Sequence, residues 1–194
     1  IGIIRVSWVG AIEVTDRIFR GVKGRPLAEA RGNTLHYGEI LDKEKKAVDD
    51  VLVSVFRAPH SYTGEDSTEI SCHGSVYVLN QVMRLLIDAG CRQAQPGEFT
   101  QRAYLNGKMD LSQAEAVADL IAASNRASHQ LALSQLKGHF SSELSRLREQ
   151  LLRMTSLLEL ELDFSDHEEL EFADRAELSA LAAKIHDRIA SLTK

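Results

Sequence analysis

The spacing of apolar residues changes near Asp110, and this change limits what the chain can fold into. Before Asp110, short apolar segments with the alternation typical of strands are interleaved with segments of helical spacing. After it, apolar residues recur at steps of three and four residues. The pattern predicts an α+β domain over residues 1–109, for which we expect a mixed sheet, and an all-α helical-bundle portion over residues 110–194.

In the first domain, apolar alternation and helical spacing predict the positions of the individual elements. Strands are expected at 1–7, 35–41, 48–56, 68–72 and 91–94, and helices at 9–20, 76–89 and 98–106. The strand at 48–56 is almost entirely apolar, which predicts burial on both of its faces.

The second portion is predicted to consist of helices alone. Asp110 with Gln113 fits the pattern of a helix N-cap, and a long helix is expected over residues 128–164. Asp174 with Glu177 should cap a last helix that ends near Leu192.

Composition excludes several classes of protein. Of the 194 residues, 44 % are hydrophobic and 26 % charged, which is ordinary for a globular protein and unlike a collagen-like or low-complexity chain. Two cysteines, Cys72 and Cys91, cannot form a disulfide framework and fit a reducing compartment. The start does not resemble a signal peptide, and no apolar run approaches the roughly 18 residues of a membrane span. We therefore expect a cytoplasmic protein without a membrane segment and, since the chain opens in a strand without methionine, a fragment.

The net charge of −5 is unevenly distributed. Residues 159–177 contain nine acidic residues and one basic residue, Arg175, as expected of a solvated connection between helices. A basic stretch near the N-terminus has only Asp16 and Glu29 against it; its cations are Arg17, Arg20, Lys23, Arg25 and Arg31. That stretch is either a solvated helix end and loop or a patch that faces phosphates.

The familiar catalytic motifs are missing from the sequence. The pair Gly107-Lys108 lacks the second glycine of a phosphate-binding P-loop, because Arg102 stands there, and Met109 replaces the required serine or threonine. The neighbours Cys72-His73 should point to opposite faces of a strand, so they make a poor nucleophile and base. The histidines do not have the spacing of a metal site. We predict no catalytic residue and no metal ligand.

Three charged residues next to two polar, glycine-containing segments, 58–66 and 96–108, form the candidate site. Arg5 lies in the middle of an apolar strand, Glu69 in another strand, and Lys108 at the end of the second polar segment. In one interpretation Arg5 and Glu69 are a structural ion pair. In the other, Arg5, Glu69 and Lys108 line a pocket in which the carboxylate accepts two N–H groups of a heterocycle such as a pterin. Composition alone leaves both open.

Three segments carry a family resemblance: residues 1–7, residues 59–66, and residues 96–121, PGEFTQRAYLNGKMDLSQAEAVADLI. Together with the later acidic segment 163–166 they resemble the tRNA-modification GTPase MnmE (TrmE) family, and the resemblance extends over essentially the whole chain. It implies a domain of the tetrahydrofolate-binding type, followed by the opening helices of a helical domain. The family's GTPase domain, inserted within those helices, would then lie beyond this chain.

The resemblance also implies a function. The family acts in the cytoplasm with the flavoprotein MnmG on carbon 5 of the wobble uridine of tRNA, using a one-carbon unit from 5-formyl- or 5,10-methylene-tetrahydrofolate. It is a GTP hydrolase whose GTP, magnesium and potassium belong to the GTPase domain, and it forms a homodimer through its N-terminal domain. The family's folate contacts correspond to Arg5, Glu69 and Lys108. Trp8 is a departure, since the family commonly has glycine there.

Two other functions remain open at this point. The chain could be a self-contained folate-dependent aminomethyltransferase, an enzyme class with a similar folate-binding fold. It could instead be an oligomerisation scaffold without enzymatic activity. Without a P-loop, residues 1–194 should not hydrolyse GTP on their own, so the prediction of enzymatic activity concerns the parent protein.

Overall fold

A computed structural model describes residues 1–22, 24–163 and 175–192. The chain divides into two compact units, Ile1–Ala114 and Glu115–Lys194. The strands of the first unit are β1 (Gly2–Ser7), β2 (Phe19–Gly21), β3 (Thr34–Leu41), β4 (Ala47–Phe56) and β5 (Ser67–Cys72). Its helices are α1 (Ala11–Ile18), α2 (Val76–Asp88) and α3 (Glu98–Leu105). No helix of the described ranges is both long and apolar enough to cross a membrane.

The five strands form one sheet in the order β1-β5-β4-β3-β2. The predicted α+β fold followed by a helical portion is confirmed. The expected mixed sheet is wrong, because each of the four strand pairs in the described part of the chain is antiparallel. The helical crossover through α1 joins β1 to β2 at opposite edges of the sheet, so it brings no parallel neighbours together.

One face of the sheet is buried and the other is open. Val51, Val53 and Val55 of β4 are buried in the core with residues of α1 and α2. Leu52 points the opposite way and is 40 % exposed, so the predicted burial of β4 on both faces is wrong. The reason is that both helices pack against the same face, which leaves the alternate residues of each strand in contact with solvent.

Two elements of the first unit differ from the prediction. The helix expected over 9–20 is shorter, because Phe19–Gly21 leave it and pair with β3, where Phe19 lies opposite Ile40. The strand expected at 91–94 has no partner in the sheet and is an irregular segment between α2 and α3.

Four helices follow: α4 (Leu111–Ala122), α5 (Arg126–Leu136), α6 (His139–Asp163) and α7 (Arg175–Leu192). The predicted cap is confirmed, since the backbone N–H of Gln113 donates to Asp110 and that of Asp110 donates to the Gln113 side chain, each at 2.9 Å. The single helix expected over 128–164 is instead two helices. They separate at Gly138, whose φ of 76° is a conformation that an α-helix cannot continue.

Within the second unit, Leu147 of α6 and Ile185 of α7 are buried. The Arg188 guanidinium of α7 pairs with the Glu143 carboxylate of α6 at 2.7 Å. The cap predicted for Asp174 with Glu177, and most of the acidic run, lie outside the described residues.

A buried pair of hydroxyl groups joins α1 to β5. The hydroxyl oxygens of Thr15 and Thr68 are 2.7 Å apart, and both residues are fully buried. Because the Thr15 hydroxyl donates its only proton to the Ala11 carbonyl at 2.8 Å, it accepts the proton of Thr68. Thr15 is therefore the partner that satisfies the buried Thr68 hydroxyl.

Substitution Thr15→Val should lower the free energy of unfolding by about 1–3 kcal/mol, because it leaves the Thr68 hydroxyl buried without an acceptor. The double variant Thr15→Val/Thr68→Val should lose less than the sum of the two single variants. Urea unfolding followed by fluorescence of Trp8, the single tryptophan, reports on this unit. A loss of unfolding free energy in the double variant equal to the sum of the two single losses would contradict the assigned hydrogen bond.

Candidate functional site

Arg5 and Glu69 form an ion pair on the open face of the sheet. They lie directly opposite each other in the register of β1 and β5, which places both side chains on the same face. The Arg5 Nε atom donates to Glu69 Oε1 at 2.7 Å, and a second guanidinium nitrogen lies 2.5 Å from the same oxygen. The two side chains remain 40 % and 25 % exposed, so the pair is accessible from solvent.

Two aromatic rings flank the Arg5 guanidinium. Its central carbon is 5.5 Å from the ring centroid of Tyr62 and 5.5 Å from that of Phe99. Both distances are within the range of a cation–π interaction. The hydroxyl groups of Tyr62 and Thr100 are 3.0 Å apart, which joins the loop after β4 to α3 around the arginine.

The loop of residues 57–66 is held against β1 and against the segment after α3. The Ser7 hydroxyl lies 2.6 Å from the Thr63 hydroxyl, and the side-chain amide of Asn106 donates to the Thr63 carbonyl at 2.8 Å. Gly64 has a φ of 80°, and a Cβ atom there would come within 3.3 Å of Lys108. A larger residue at Gly64 would therefore be strained and would crowd Lys108.

Lys108 contacts this loop and not the ion pair. Its Nζ atom donates to the Pro59 carbonyl at 2.9 Å. Of the three residues predicted from the sequence, the structure thus joins Arg5 to Glu69 and places Lys108 on the loop that also carries Tyr62.

A cavity of about 580 Å³ lies along the outer side of β1. It is lined by β1, α2, the irregular segment 90–94 and α3, and its polar and aromatic residues include Arg5, Trp8 and Phe99. The volume falls within the usual range for small-molecule sites. Trp8 thus lines the cavity beside the Arg5 pair.

Apart from Glu69, the side chains that surround Arg5 and hold its neighbouring elements are not evident from residue spacing. Phe99 and Arg102 belong to the polar segment 96–108, and Tyr62 to the segment 58–66, so all three lie in the two polar segments of the candidate site. Their composition indicated a site, but not which side chain meets Arg5, because that depends on how α3 and the loop pack.

A second ionic network fixes the start of α3. The Glu98 carboxylate accepts hydrogen bonds from Arg92 at 2.5 Å, from the backbone N–H of Gln95 at 2.8 Å and from Arg102 at 3.0 Å. Arg102 also donates to Glu65 at 3.1 Å. The network therefore ties α3 to the loop that carries Tyr62.

This network lowers the pKa of Glu98 to about 2. The largest cause is the hydrogen bond from Arg92, followed by those from the Gln95 backbone and from Arg102. All three stabilise the ionised carboxylate.

The two thiols are not placed for nucleophilic chemistry. Burial raises the pKa of Cys72 and that of Cys91, which disfavours the reactive thiolate at neutral pH. His73 is exposed and its imidazole lies 2.7 Å from Asp49, whereas Cys72 points into the core. In the described ranges, His, Cys, Asp and Glu side chains form no group of three that could hold a metal ion.

Substitution Arg92→Ala should raise the pKa of Glu98 toward its ordinary value of 4.5, because the largest of the three causes is removed. In the wild-type chain the Glu98 contribution to stability is present above pH 4.5 and is lost as the pH falls toward 2. NMR titration of the Glu98 side-chain carbon measures this directly. An unchanged Glu98 titration in the variant would contradict the assigned network.

Comparisons with known proteins cover the whole chain. Residues 1–108 match the family model described as "GTP-binding protein TrmE N-terminus", and residues 111–194 match the one described as "MnmE helical domain". The chain is 64 % identical over 193 residues to the tRNA modification GTPase MnmE of Bacteroides fragilis, covering 99 % of this chain and 41 % of that protein.

Other relatives of the same name give the same result. The protein of Phocaeicola vulgatus is 57 % identical over 224 residues, covering 99 % of this chain and 45 % of its own length. That of Parabacteroides distasonis is 58 % identical over 195 residues, covering 100 % of this chain and 42 % of its own length. The chain thus spans less than half the length of these curated relatives. By its matching models and its identity to these proteins, the chain belongs to the tRNA modification GTPase MnmE family.

Proposed function

We propose that this chain is the folate-binding and dimerisation part of a tRNA-modification GTPase, with residues 1–109 as the folate domain and residues 110–194 as the first part of the helical domain. The parent protein, acting with the flavoprotein MnmG in the cytoplasm, would modify carbon 5 of the wobble uridine of tRNA. Membership of the MnmE family supports the parent activity.

The accessible Arg5–Glu69 pair is the observation that carries the folate assignment. A carboxylate in this position can accept two parallel N–H donors from the pterin ring, and the guanidinium can donate to the pterin carbonyl. The pair is 40 % and 25 % exposed and lies beside a cavity of about 580 Å³, so a ligand can reach it. The donor set and the space fit a tetrahydrofolate.

The aromatic rings of Tyr62 and Phe99 add apolar surface next to Arg5. A fused heterocycle presents flat apolar faces in addition to its polar edge, and such ligands are commonly held by aromatic side chains with a few placed polar groups. The rings therefore suit a pterin better than a small inorganic anion, which would need only the guanidinium.

Lys108 would serve the other end of the ligand. Its ammonium group rests on the Pro59 carbonyl without an acidic partner among the described residues, so its charge is available to a carboxylate. In this proposal Glu69 and Arg5 hold the pterin, and Lys108 attracts the carboxylates of the folate tail.

A bound folate would supply the one-carbon unit. This chain's residues would bind and orient it, and none is proposed as catalytic. GTP hydrolysis, with its magnesium and potassium, is assigned to a GTPase domain outside residues 1–194, since a P-loop motif is missing from them. Homodimerisation through the first domain completes the proposal.

Two alternatives make different predictions. A self-contained aminomethyltransferase would transfer a one-carbon group to a small amine, with turnover by this chain alone. An oligomerisation scaffold would form a dimer by light scattering without binding folate. The accessible charge pair, with two aromatic rings beside its arginine, favours folate binding over the scaffold.

Titration with 5-formyltetrahydrofolate, followed by the fluorescence of Trp8 in the cavity, tests the folate assignment. Substitution Glu69→Gln should weaken binding by about ten- to hundredfold, because a hydrogen bond to a charged group is lost. The matched control is Glu39→Gln, since Glu39 pairs with Arg20 across β3 and β2 at the same 2.5 Å. Equal affinity of the Glu69 and Glu39 variants would overturn the assignment.

A second titration separates the roles of the three residues. Substitution Lys108→Ala should weaken binding of 5-formyltetrahydrofolate but leave binding of a reduced pterin without the glutamate tail unchanged, because that fragment carries no tail carboxylate. Substitution Glu69→Gln should weaken the binding of both ligands. Calorimetric titration with each ligand measures these affinities. An equal loss of affinity for both ligands in the Lys108 variant would contradict the tail assignment.

A further inference from the structure

A groove of about 730 Å³ lies at the edge of the sheet opposite to β1. One wall of the groove is β3. Strand β2 pairs only with Gly38 to Ile40 of β3, so the earlier part of β3 is left to line the groove. The other wall is the segment 24–31. Arg25, Arg31 and Tyr37 line this groove. We propose that it binds an unpaired stretch of RNA, with Tyr37 stacking on a base and the two arginines contacting phosphates.

The wall formed by residues 24–31 is held in place by hydrogen bonds. The backbone N–H of Leu27 donates to the Asp16 carboxylate at 2.7 Å. The Arg57 guanidinium donates to the carbonyls of Ala28 at 2.6 Å and Ala30 at 3.0 Å. The groove is therefore built into the fold, and Arg25 and Arg31 project from an anchored segment.

The structure separates the four described cations of the basic stretch into two groups, and Lys23 lies outside the described residues. Arg17 donates to the Ala89 carbonyl and Arg20 pairs with Glu39. The side chains of Arg25 and Arg31 are exposed and make no ion pair or hydrogen bond within the described ranges. Among the described residues that line the groove Glu29 is the only acidic one, so the two arginines leave this lining with net positive charge.

An exposed aromatic ring distinguishes this groove from a general anion site. Tyr37 is 56 % exposed, and Leu35 on the same strand face is 60 % exposed. Proteins bind single-stranded RNA by combining such rings, on which bases stack, with cations that contact the backbone. A base-paired strand keeps its bases stacked on one another, so the ring favours an unpaired loop.

The choice of RNA over another polyanion rests on the proposed function, in which the parent protein acts on tRNA. The groove lies at the opposite edge of the sheet from β1, along which the candidate folate site lies. The two proposals can therefore fail independently, because substitutions in the groove should leave the folate titration unchanged.

Fluorescence anisotropy of the full chain with a labelled RNA hairpin tests the proposal. Removing both cations with Arg25→Ala/Arg31→Ala should reduce the slope of log K against log salt by about 1.4–1.8, which corresponds to two phosphate contacts. The control Lys46→Ala/Arg84→Ala removes the same charge from exposed positions outside the groove and should leave the slope unchanged. Tyr37→Ala should weaken binding at least fivefold, whereas Tyr37→Phe should not.

Several results would overturn the proposal. One is hairpin affinity too weak to measure at low salt, and another is an equal loss for the groove and control variants. A duplex RNA of the same length that binds as tightly as the hairpin, or a Tyr37→Ala variant that binds like wild type, would exclude base stacking. If hairpin binding follows the prediction while folate binding fails, the groove stands and the folate assignment falls.

Discussion

The antiparallel pairing of β1 with β5 fixes the register on which the candidate site depends. It joins Gly2–Ser7 to Ser67–Cys72 and so places Arg5 directly opposite Glu69. A shift of β1 by one residue would turn Arg5 toward the core, where an apolar environment would not accept it, and would separate it from Glu69. A buried hydrogen bond of 2.8 Å from the Ser67 hydroxyl to the Val6 carbonyl supports this register. The same pairing brings the 57–66 loop back to β1, where Tyr62 meets the arginine.

The energetics of the site differ from those of the core. An exposed ion pair such as Arg5–Glu69 typically contributes about 0–1 kcal/mol, so the fold does not require it for stability. The hydrogen bonds of Glu98 hold the start of α3 instead, and the hydrogen bond from Arg102 to Glu65 ties α3 to the loop, which keeps Phe99 beside Arg5. The Glu98 network therefore positions the site, while the Arg5–Glu69 pair remains accessible to a ligand.

The elements that could be predicted from the sequence are those marked by apolar alternation or by a capping pair within a few residues. Alternation over 35–41 and 68–72 located two strands, and the pairing of Asp110 with Gln113 located a helix start. Strand β2 has three residues, too few for a periodic pattern, and its place depends on pairing with β3. Gly138 ends α5 by its backbone conformation, which the apolar spacing on either side does not reveal.

The candidate site was predictable to a similar extent. A charge inside an apolar strand indicated that Arg5 needs a partner, and Glu69 was a candidate because it lies in another predicted strand. The positions of Lys108 and the two aromatic rings depend on how α3 and two loops pack, which residue spacing does not show.

The most direct test of the folate site is a crystal structure of the chain with 5-formyltetrahydrofolate. We expect the pterin to bind at the Glu69 carboxylate and the contact between Arg5 and Glu69 to be rearranged. A ligand bound elsewhere, with the Arg5–Glu69 pair intact, would contradict the folate site.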